Sequence, residues 1–317
     1  MDADVAMGSP LMLLDTASLY FRAYFGVPDT LTAPDGTPVN AVRGLLDFVA
    51  RLVGDHSPGS LVACWDDDWR PAWRVALLAS YKTHRVVEEI ATDPDIEQTP
   101  DPLVVQVPVI AETLALLGVP VVGAPDHEAD DVIGSLATQA AGPVDVVTGD
   151  RDLFQLVDDE RGVRVLYTAR GVGRLEVVDA ARVRERYGVE PQQYADFAAL
   201  RGDPSDGLPG VGGIGDKTAA ALLAAHGDLR GILRAAAAGT GPAGRQAKRL
   251  AAAGDYLSVA PGVVGVVRDL DLSAAPLRLS TWDDAAEAAW AAHVDRWGLG
   301  GSATRAAEAL GPLRPSD

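Results

Sequence analysis

The chain has 317 residues, 48% of them apolar and 23% charged, enough to bury a core in one large domain or two ordinary ones. Its 45 acids against 27 bases give a formal charge of −18, which argues against nucleic-acid binding through a broadly basic surface. A lone cysteine, Cys64, excludes an intrachain disulfide and fits a reducing cytoplasm; no uncharged apolar run is long enough to span a membrane, and Met1 to Pro10 lacks the basic start of a secretory signal.

In chain order, Leu11 to Leu14 is an apolar strand ending at Asp15, and Leu61 to Trp65 is another, ending at Asp66, Asp67 and Asp68. Cys64 lies within that second run and reads as a core residue. Trp65, Trp69 and Trp73 fall at helical spacing and read as packing residues rather than base-stacking ones. Pro71 to Tyr81 predicts a helix, and Val86 to Pro102 an acidic, turn-rich mobile loop. A helix over Val107 to Leu117 leads through Gly118 to a short strand, Val119 to Val122, and a helix from Glu128 to Ala140 follows. Val144 to Thr148 is a third strand, ending after Gly149 at Asp150 and Asp152. Short buried strands alternating with helices predict a parallel α/β sheet, in which ligands bind beyond the carboxyl ends of the strands. Past residue 185 the pattern turns helical: Glu190 to Leu200, a Gly/Pro-rich stretch from Gly202 to Gly215, then Ala-rich helices from Thr218 to Ala238. Gly262 to Asp269 predicts a strand and Asp283 to Trp297 a terminal helix, with no internal repeat.

The acids carry the chemistry. Glu128, Asp130 and Asp131 crowd the first turn of one helix, where capping needs a single acid and three repel one another. Asp203 and Asp206 add two more carboxylates; an EF-hand there fails, since the twelfth loop position is Ile214, and an Asx turn is the plainer alternative. With Asp15, Asp66, Asp150 and Asp152 these make nine candidate ligands, all oxygen, which suits Mg²⁺ or Mn²⁺; no zinc motif is present. Two hard cations about 4 Å apart can activate water and stabilise the leaving oxygen of a phosphodiester.

Gly210, Gly212, Gly213 and Gly215 form a GxGxxG that follows Leu208-Pro209 rather than a strand, and Asp216 before Lys217-Thr218 rules out a Walker A loop. A glycine turn opening a helix remains, with backbone N–H groups and Lys217 placed for a phosphate; a plain interhelical turn is the alternative. Only three of the 27 bases are lysines, Lys82, Lys217 and Lys248. Lys82 and Arg85 cluster beside Tyr81 as a phosphate-and-stacking site, and Arg22 is a further candidate.

These stretches resemble the 5′ nuclease family: the 5′→3′ exonuclease domain of bacterial DNA polymerase I, phage 5′ nucleases and flap endonucleases. The resemblance rests on Leu14-Asp15 through Arg22-Ala23-Tyr24, Tyr81 to Arg85, Glu128 to Gly134, Thr148 to Asp152, and Gly202 to Val211 through Gly215 to Ala219, in family order across most of residues 11 to 225. It implies a PIN-like α/β parallel-sheet nuclease core with a helical arch, over residues 1–185 with the arch at about 70–102. It also implies a helix–three-turn–helix DNA-binding domain over 186–261, often with a potassium ion. A strand and helix over 262–317 would pack back on the core. The resemblance further implies one metal near Asp15, Asp66, Glu128 and Asp130, and a second near Asp131, Asp150, Asp152, Asp203 and Asp206. Arg22, Lys82 and Arg85 match positions that contact the scissile phosphate, and Tyr81, the turn glycines, Lys217 and Thr218 match DNA-binding positions. Asp67 and Asp68 stand where the family often has small or basic residues, Gly207 replaces a common Asn, and the insert from Glu88 to Pro102 is acidic where an arch over DNA favours bases. The expectation is a stand-alone, monomeric, cytoplasmic 5′→3′ exonuclease and flap endonuclease acting on DNA with 5′ ends, flaps or nicks. The competing readings are a PIN-type ribonuclease and an inactive structure-specific DNA-binding module.

Overall fold

The computed structural model describes residues 8–88 and 95–315, leaving out the side chain of Glu88. Its elements run β1 (Leu11–Asp15), α1 (Thr16–Gly26), α2 (Asn40–His56), β2 (Ser60–Cys64), α3 (Ala72–Leu77), β3 (Val86–Glu88), β4 (Ile96–Glu97), α4 (Asp101–Val104), α5 (Val107–Leu116), β5 (Val121–Val122), α6 (Ala129–Gln139), β6 (Val144–Thr148), β7 (Val163–Tyr167) and β8 (Glu176–Val178). There follow α7 (Ala180–Tyr187), α8 (Tyr194–Arg201), α9 (Asp216–His226), α10 (Leu229–Ala237), α11 (Gly241–Arg245), α12 (Ala247–Ala252), α13 (Gly254–Val264), α14 (Asp284–Trp297) and α15 (Gly300–Leu310).

Six strands form one sheet in the order β5-β2-β1-β6-β7-β8, all pairs parallel except the last. The chain leaves β1 for β2 on one side and returns to β6 on the other, so the strand order reverses at β1. A crevice opens at such a point beyond the carboxyl ends of the strands. Asp15 ends β1, Asp66 lies two residues past β2, and Asp150 two past β6, so three acids distant in sequence reach one place. Both sheet faces are covered. Met12 and Leu14 pack toward α2 and α5, while Leu13 points into a second core with α6 and the helical domain. Strands buried on both sides explain the unbroken apolar runs.

The helical domain shares that second core through Tyr194, Phe197, Leu200, Leu222 and Leu257, and α13 packs on α3 of the α/β core. Near the C-terminus α14 packs against α5 and α15 along α2.

The structure departs from the sequence reading in several places. No strand forms at Gly262–Asp269: α13 runs to Val264, and beyond it Val266, Val267 and Leu270 donate their N–H groups to the side chains of Gln155, Asp131 and Ser135. With those donors taken by side chains, no ladder can form. The helix expected over Pro71–Tyr81 is only α3, because the chain turns at Leu78 and Lys82 adopts a left-handed conformation with φ 48°. Within the arch region the described residues hold this short helix, a 3-10 turn at Thr83–Arg85, the antiparallel β3–β4 pair and the single-turn α4, rather than long helices. The centre of the acidic segment, 89–94, falls outside the described residues. Helices α2, α7 and α15 and strands β7 and β8 had no counterpart in the sequence reading. Among the described residues no helix is long and apolar enough to cross a membrane.

Candidate active site

A cavity of about 230 Å³ lies at the reversal point, walled by Asp15, Asp66, Glu128, Asp130 and Asp150 with Lys82 and Arg85. Each acid is placed by its local structure. Asp15 caps α1, accepting from the Ser18 N–H at 3.1 Å on one oxygen and from the Thr148 hydroxyl at 2.6 Å on the other. Asp66 accepts from the Ala129 N–H at 2.8 Å, which ties the end of β2 to the start of α6. Asp150 accepts from the Asp152 N–H at 2.8 Å in a tight turn after β6. Of the three successive acids 66–68, only Asp66 reaches this cavity. Asp67 lies against Gly123, and Asp68 accepts from the Arg70 N–H.

Glu128 sits at the N-terminus of α6 and is enclosed by donors. Lys82 Nζ donates to one oxygen at 2.5 Å and the Tyr81 hydroxyl to the other at 2.7 Å, and Arg74 stands 3.2 Å away. Burial would raise its carboxyl, but Lys82 and Arg74 outweigh burial and hold it below the usual carboxylate range. The other acids behave oppositely. Burial, reinforced by the charges of Asp66 and Asp150, pushes the Asp15 carboxyl up to about 7. Asp66 and Asp130 are also raised, first by burial and then by neighbouring carboxylates. Asp152 and Asp206 lie next to this group: each is raised by burial and by Asp150, Asp206 to about 6.

Two of the nine expected ligands are occupied otherwise. Asp131 is fully buried and takes a bidentate pair from Arg74 at 2.9 and 2.7 Å, plus the Val267 N–H. Asp203 is buried in an Asx turn that accepts from the Ser205 N–H, with Arg201 at 3.0 Å and Arg151 at 3.4 Å on its second oxygen. Neither lines the cavity. Tyr81 does not present a stacking face: its ring is buried at 4% exposure and its hydroxyl donates to Glu128. Lys82 faces the cavity but is committed to Glu128, whereas Arg85 is partly exposed and reaches Ser205 O and Asp206. Arg22 donates to Ala169 O and lies against Gly149, beside the cavity rather than in its wall. The sequence reading missed Arg74, whose partner Asp131 lies 57 residues away; its only sequence signal is a lone basic residue in an apolar helix.

The glycine turn precedes α9, whose N-cap Gly215 offers no capping side chain. Gly210 and Gly213 adopt φ 65° and 79°, which explains glycine there. Lys217 is exposed and Thr218 half-buried in the first turn of α9.

The donor set fits a hard divalent cation: five carboxylates and no sulfur or imidazole share one cavity, and three of them, Asp15, Asp66 and Asp130, are raised by burial and then by neighbouring carboxylate charge, a repulsion that a cation relieves. Among the described residues no three acids are gathered tightly enough to hold an ion as they stand, since Glu128 and Asp15 are turned toward protein donors.

Comparison with known proteins agrees with this architecture. Residues 10–188 match the family model of the 5′-3′ exonuclease N-terminal resolvase-like domain, and 189–285 that of the 5′-3′ exonuclease C-terminal SAM fold. A 5′-3′ exonuclease of Streptomyces coelicolor is 62% identical over 300 residues, covering 93% of this chain and 98% of the relative. A 5′-3′ exonuclease of Mycobacterium tuberculosis is 51% identical over 287 residues, 88% of each chain. The crystal structure of the T5 D15 protein, co-crystallised with metal ions, superposes with a TM-score of 0.62 at 15% identity over 96% of this chain and 99% of that one, a likeness of fold.

Proposed function

This chain belongs to the 5′-3′ exonuclease family, and from that premise we propose that it hydrolyses DNA phosphodiesters at or near 5′ ends, flaps included, with divalent cations held in the acid cavity. The observation that carries the proposal is the meeting of Asp15, Asp66, Glu128, Asp130 and Asp150 with Lys82 and Arg85 on one cavity at the point where the strand order reverses.

Asp15, Asp66, Glu128, Asp130 and Asp150 would hold one cation, and Asp150 with Asp152 and Asp206 a second. Bound there, Mg²⁺ or Mn²⁺ supplies a water of lowered pKa and positive charge against the leaving oxygen. Arg85 presents its fork to the cavity and binds the non-bridging oxygens as charge develops on them. Lys82 keeps Glu128 ionised and adds a second positive charge to the same wall. Asp131 does not ligate; it fixes Arg74, which holds Glu128 in turn. The glycine turn and Lys217 grip the duplex backbone without reading sequence, and a potassium ion in that turn belongs to the same proposal.

The test is cleavage of flap, nicked and single-stranded DNA and of single-stranded RNA, with Mg²⁺, with Mn²⁺ and with chelator. Metal-dependent cutting of the DNA substrates near the 5′ end is expected. Cutting of RNA alone, or cutting unaffected by chelator, would sink the proposal.

A further inference from the structure

A second cavity, of about 330 Å³, opens beside the first and shares Ala17, Asp66, Trp69 and Glu97 with it as common wall. Its chemistry is different. Tyr20, Trp65 and Trp69 line it with Val104, Val107 and Pro108, and its polar side includes Asp67, Asp95 and Glu97. Among the described residues no cationic side chain is in its walls, so it repels a phosphate and offers flat apolar faces instead. The Tyr20 and Trp65 rings stand 6.2 Å apart at 49°, two faces against which a planar group can pack.

We propose that this cavity receives the nucleobase on the 5′ side of the scissile phosphate, and that Asp67 makes it favour bases carrying an exocyclic amino group. The inference rests on the nuclease reading and adds to it a base subsite. Direction follows from the fold. The helical domain proposed to grip the duplex contributes no wall to this cavity, which is built from the nuclease core alone. The strand being removed is the one free to leave the duplex and enter it. Among its acids, Asp66 already accepts from Ala129, Asp95 is paired with Arg70, and Glu97 faces Arg85. Asp67 is exposed and lines this cavity, so it stands as an acceptor at the mouth. A carboxylate accepts from the amino group of cytosine and has no such donor to meet on thymine. The acid that departed from the family pattern thereby acquires a use.

The experiment uses the full chain and flap DNAs identical except for the nucleotide just 5′ of the cleaved bond: cytosine, thymine or an abasic analogue. Single-turnover rates in Mg²⁺ should fall about tenfold or more from cytosine to the abasic site, thymine lying between. Asp67→Asn, nearly isosteric, should erase the cytosine-over-thymine difference. In Ca²⁺, with the same duplex carrying 2-aminopurine at that position, binding should quench the base's fluorescence through stacking. Equal wild-type rates on all three substrates, an unquenched 2-aminopurine, or a preference that survives Asp67→Asn would overturn the inference. Quenching without any cleavage would instead leave the subsite standing and sink the nuclease reading.

Discussion

Glu128 is held below the usual carboxylate range in a site where burial raises Asp15, Asp66 and Asp130, because Lys82, Tyr81 and Arg74 all donate or sit close to it. Arg85 has a different role: its guanidinium is partly exposed, donates to the Ser205 carbonyl at 2.9 Å and stands 3.5 Å from Asp206 and 3.9 Å from Glu97. Arg85→Ala should slow single-turnover cleavage at saturating DNA roughly a hundredfold, and Arg85→Lys should recover only part of it, because an ammonium lacks the fork. Wild-type rates in Arg85→Ala would remove it from the chemistry. Arg74 is a matter of stability as well. It is 2% exposed and joins Glu128, Asp131 and the Val263 carbonyl, so Arg74→Met leaves two buried carboxylates short of a partner. A loss of about 3–5 kcal/mol is expected in urea denaturation. A loss under about 1 kcal/mol would show that the pair is replaceable. Here the sequence was partly legible: acids after strands announced themselves, but whether an acid faces the cavity or an arginine did not. Asp131 and Asp203 look the same in sequence as Asp130 and Asp206; Arg74 reaches Asp131 from another element, and Asp203 is held by Arg151 from afar as well as by Arg201 two residues before it.

At the scale of elements, the turn between α8 and α9 is built so that the backbone passes close to itself. Gly210 has φ 65°, and a Cβ there would lie 2.5 Å from the Arg201 carbonyl oxygen, a backbone atom that cannot step aside. Gly212, by contrast, has open space where its Cβ would be. Gly210→Ala should therefore cost more than about 1 kcal/mol, and Gly212→Ala less than about 0.5 kcal/mol, in thermal or chemical unfolding. Equal effects would mean that the turn relaxes freely. Lys217 stands exposed in the first turn of α9. Lys217→Ala should weaken duplex binding and reduce the slope of log affinity against log salt by about one. An unchanged slope would exclude it from the phosphate contacts. The elements themselves were read well where a run had one strong period, as in β1, β2, β6 and α6. They were misread where the backbone bonded to side chains, as beyond Val264.

The whole molecule carries a charge of −18, so its cations act locally. Several face solvent on the helical domain, Lys217, Arg230, Arg234, Arg245, Lys248 and Arg249 among them, while the acids gather at the carboxyl ends of the strands. That concentration has a consequence for stability. Asp15 and Asp206 have carboxyls raised to about 7 and about 6, so the folded chain binds their protons more tightly than the unfolded chain, whose carboxyls titrate near 4. Their contribution to stability is fully present below about pH 4 and is lost as pH rises through 6 and 7. Glu128 works in the other direction, its stabilisation fading at acid pH, which limits the gain at the low end. In chelator, Tm should rise by several degrees from pH 8 to pH 5. Mg²⁺ should raise Tm more at pH 8 than at pH 5, because ligands must shed their protons to bind it. A Tm flat across that range, or a Mg²⁺ effect larger at pH 5, would contradict the electrostatic account.

By itself the sequence determined the sheet class, the helical second half, the acids that follow strands and the glycine turn, because each is written in neighbouring residues: apolar runs, a capping position, glycines where φ turns positive. The tertiary structure alone decided which of three successive acids enters the cavity, that Arg74 takes Asp131, that Tyr81 lies beneath Glu128, and that a second, aromatic cavity adjoins the first. Those outcomes depend on pairings such as Arg74 with Asp131, 57 residues apart, and Tyr81 with Glu128, 47 apart. Local periodicity does not record such pairings; the packing of α3 and α6 beside the sheet creates them.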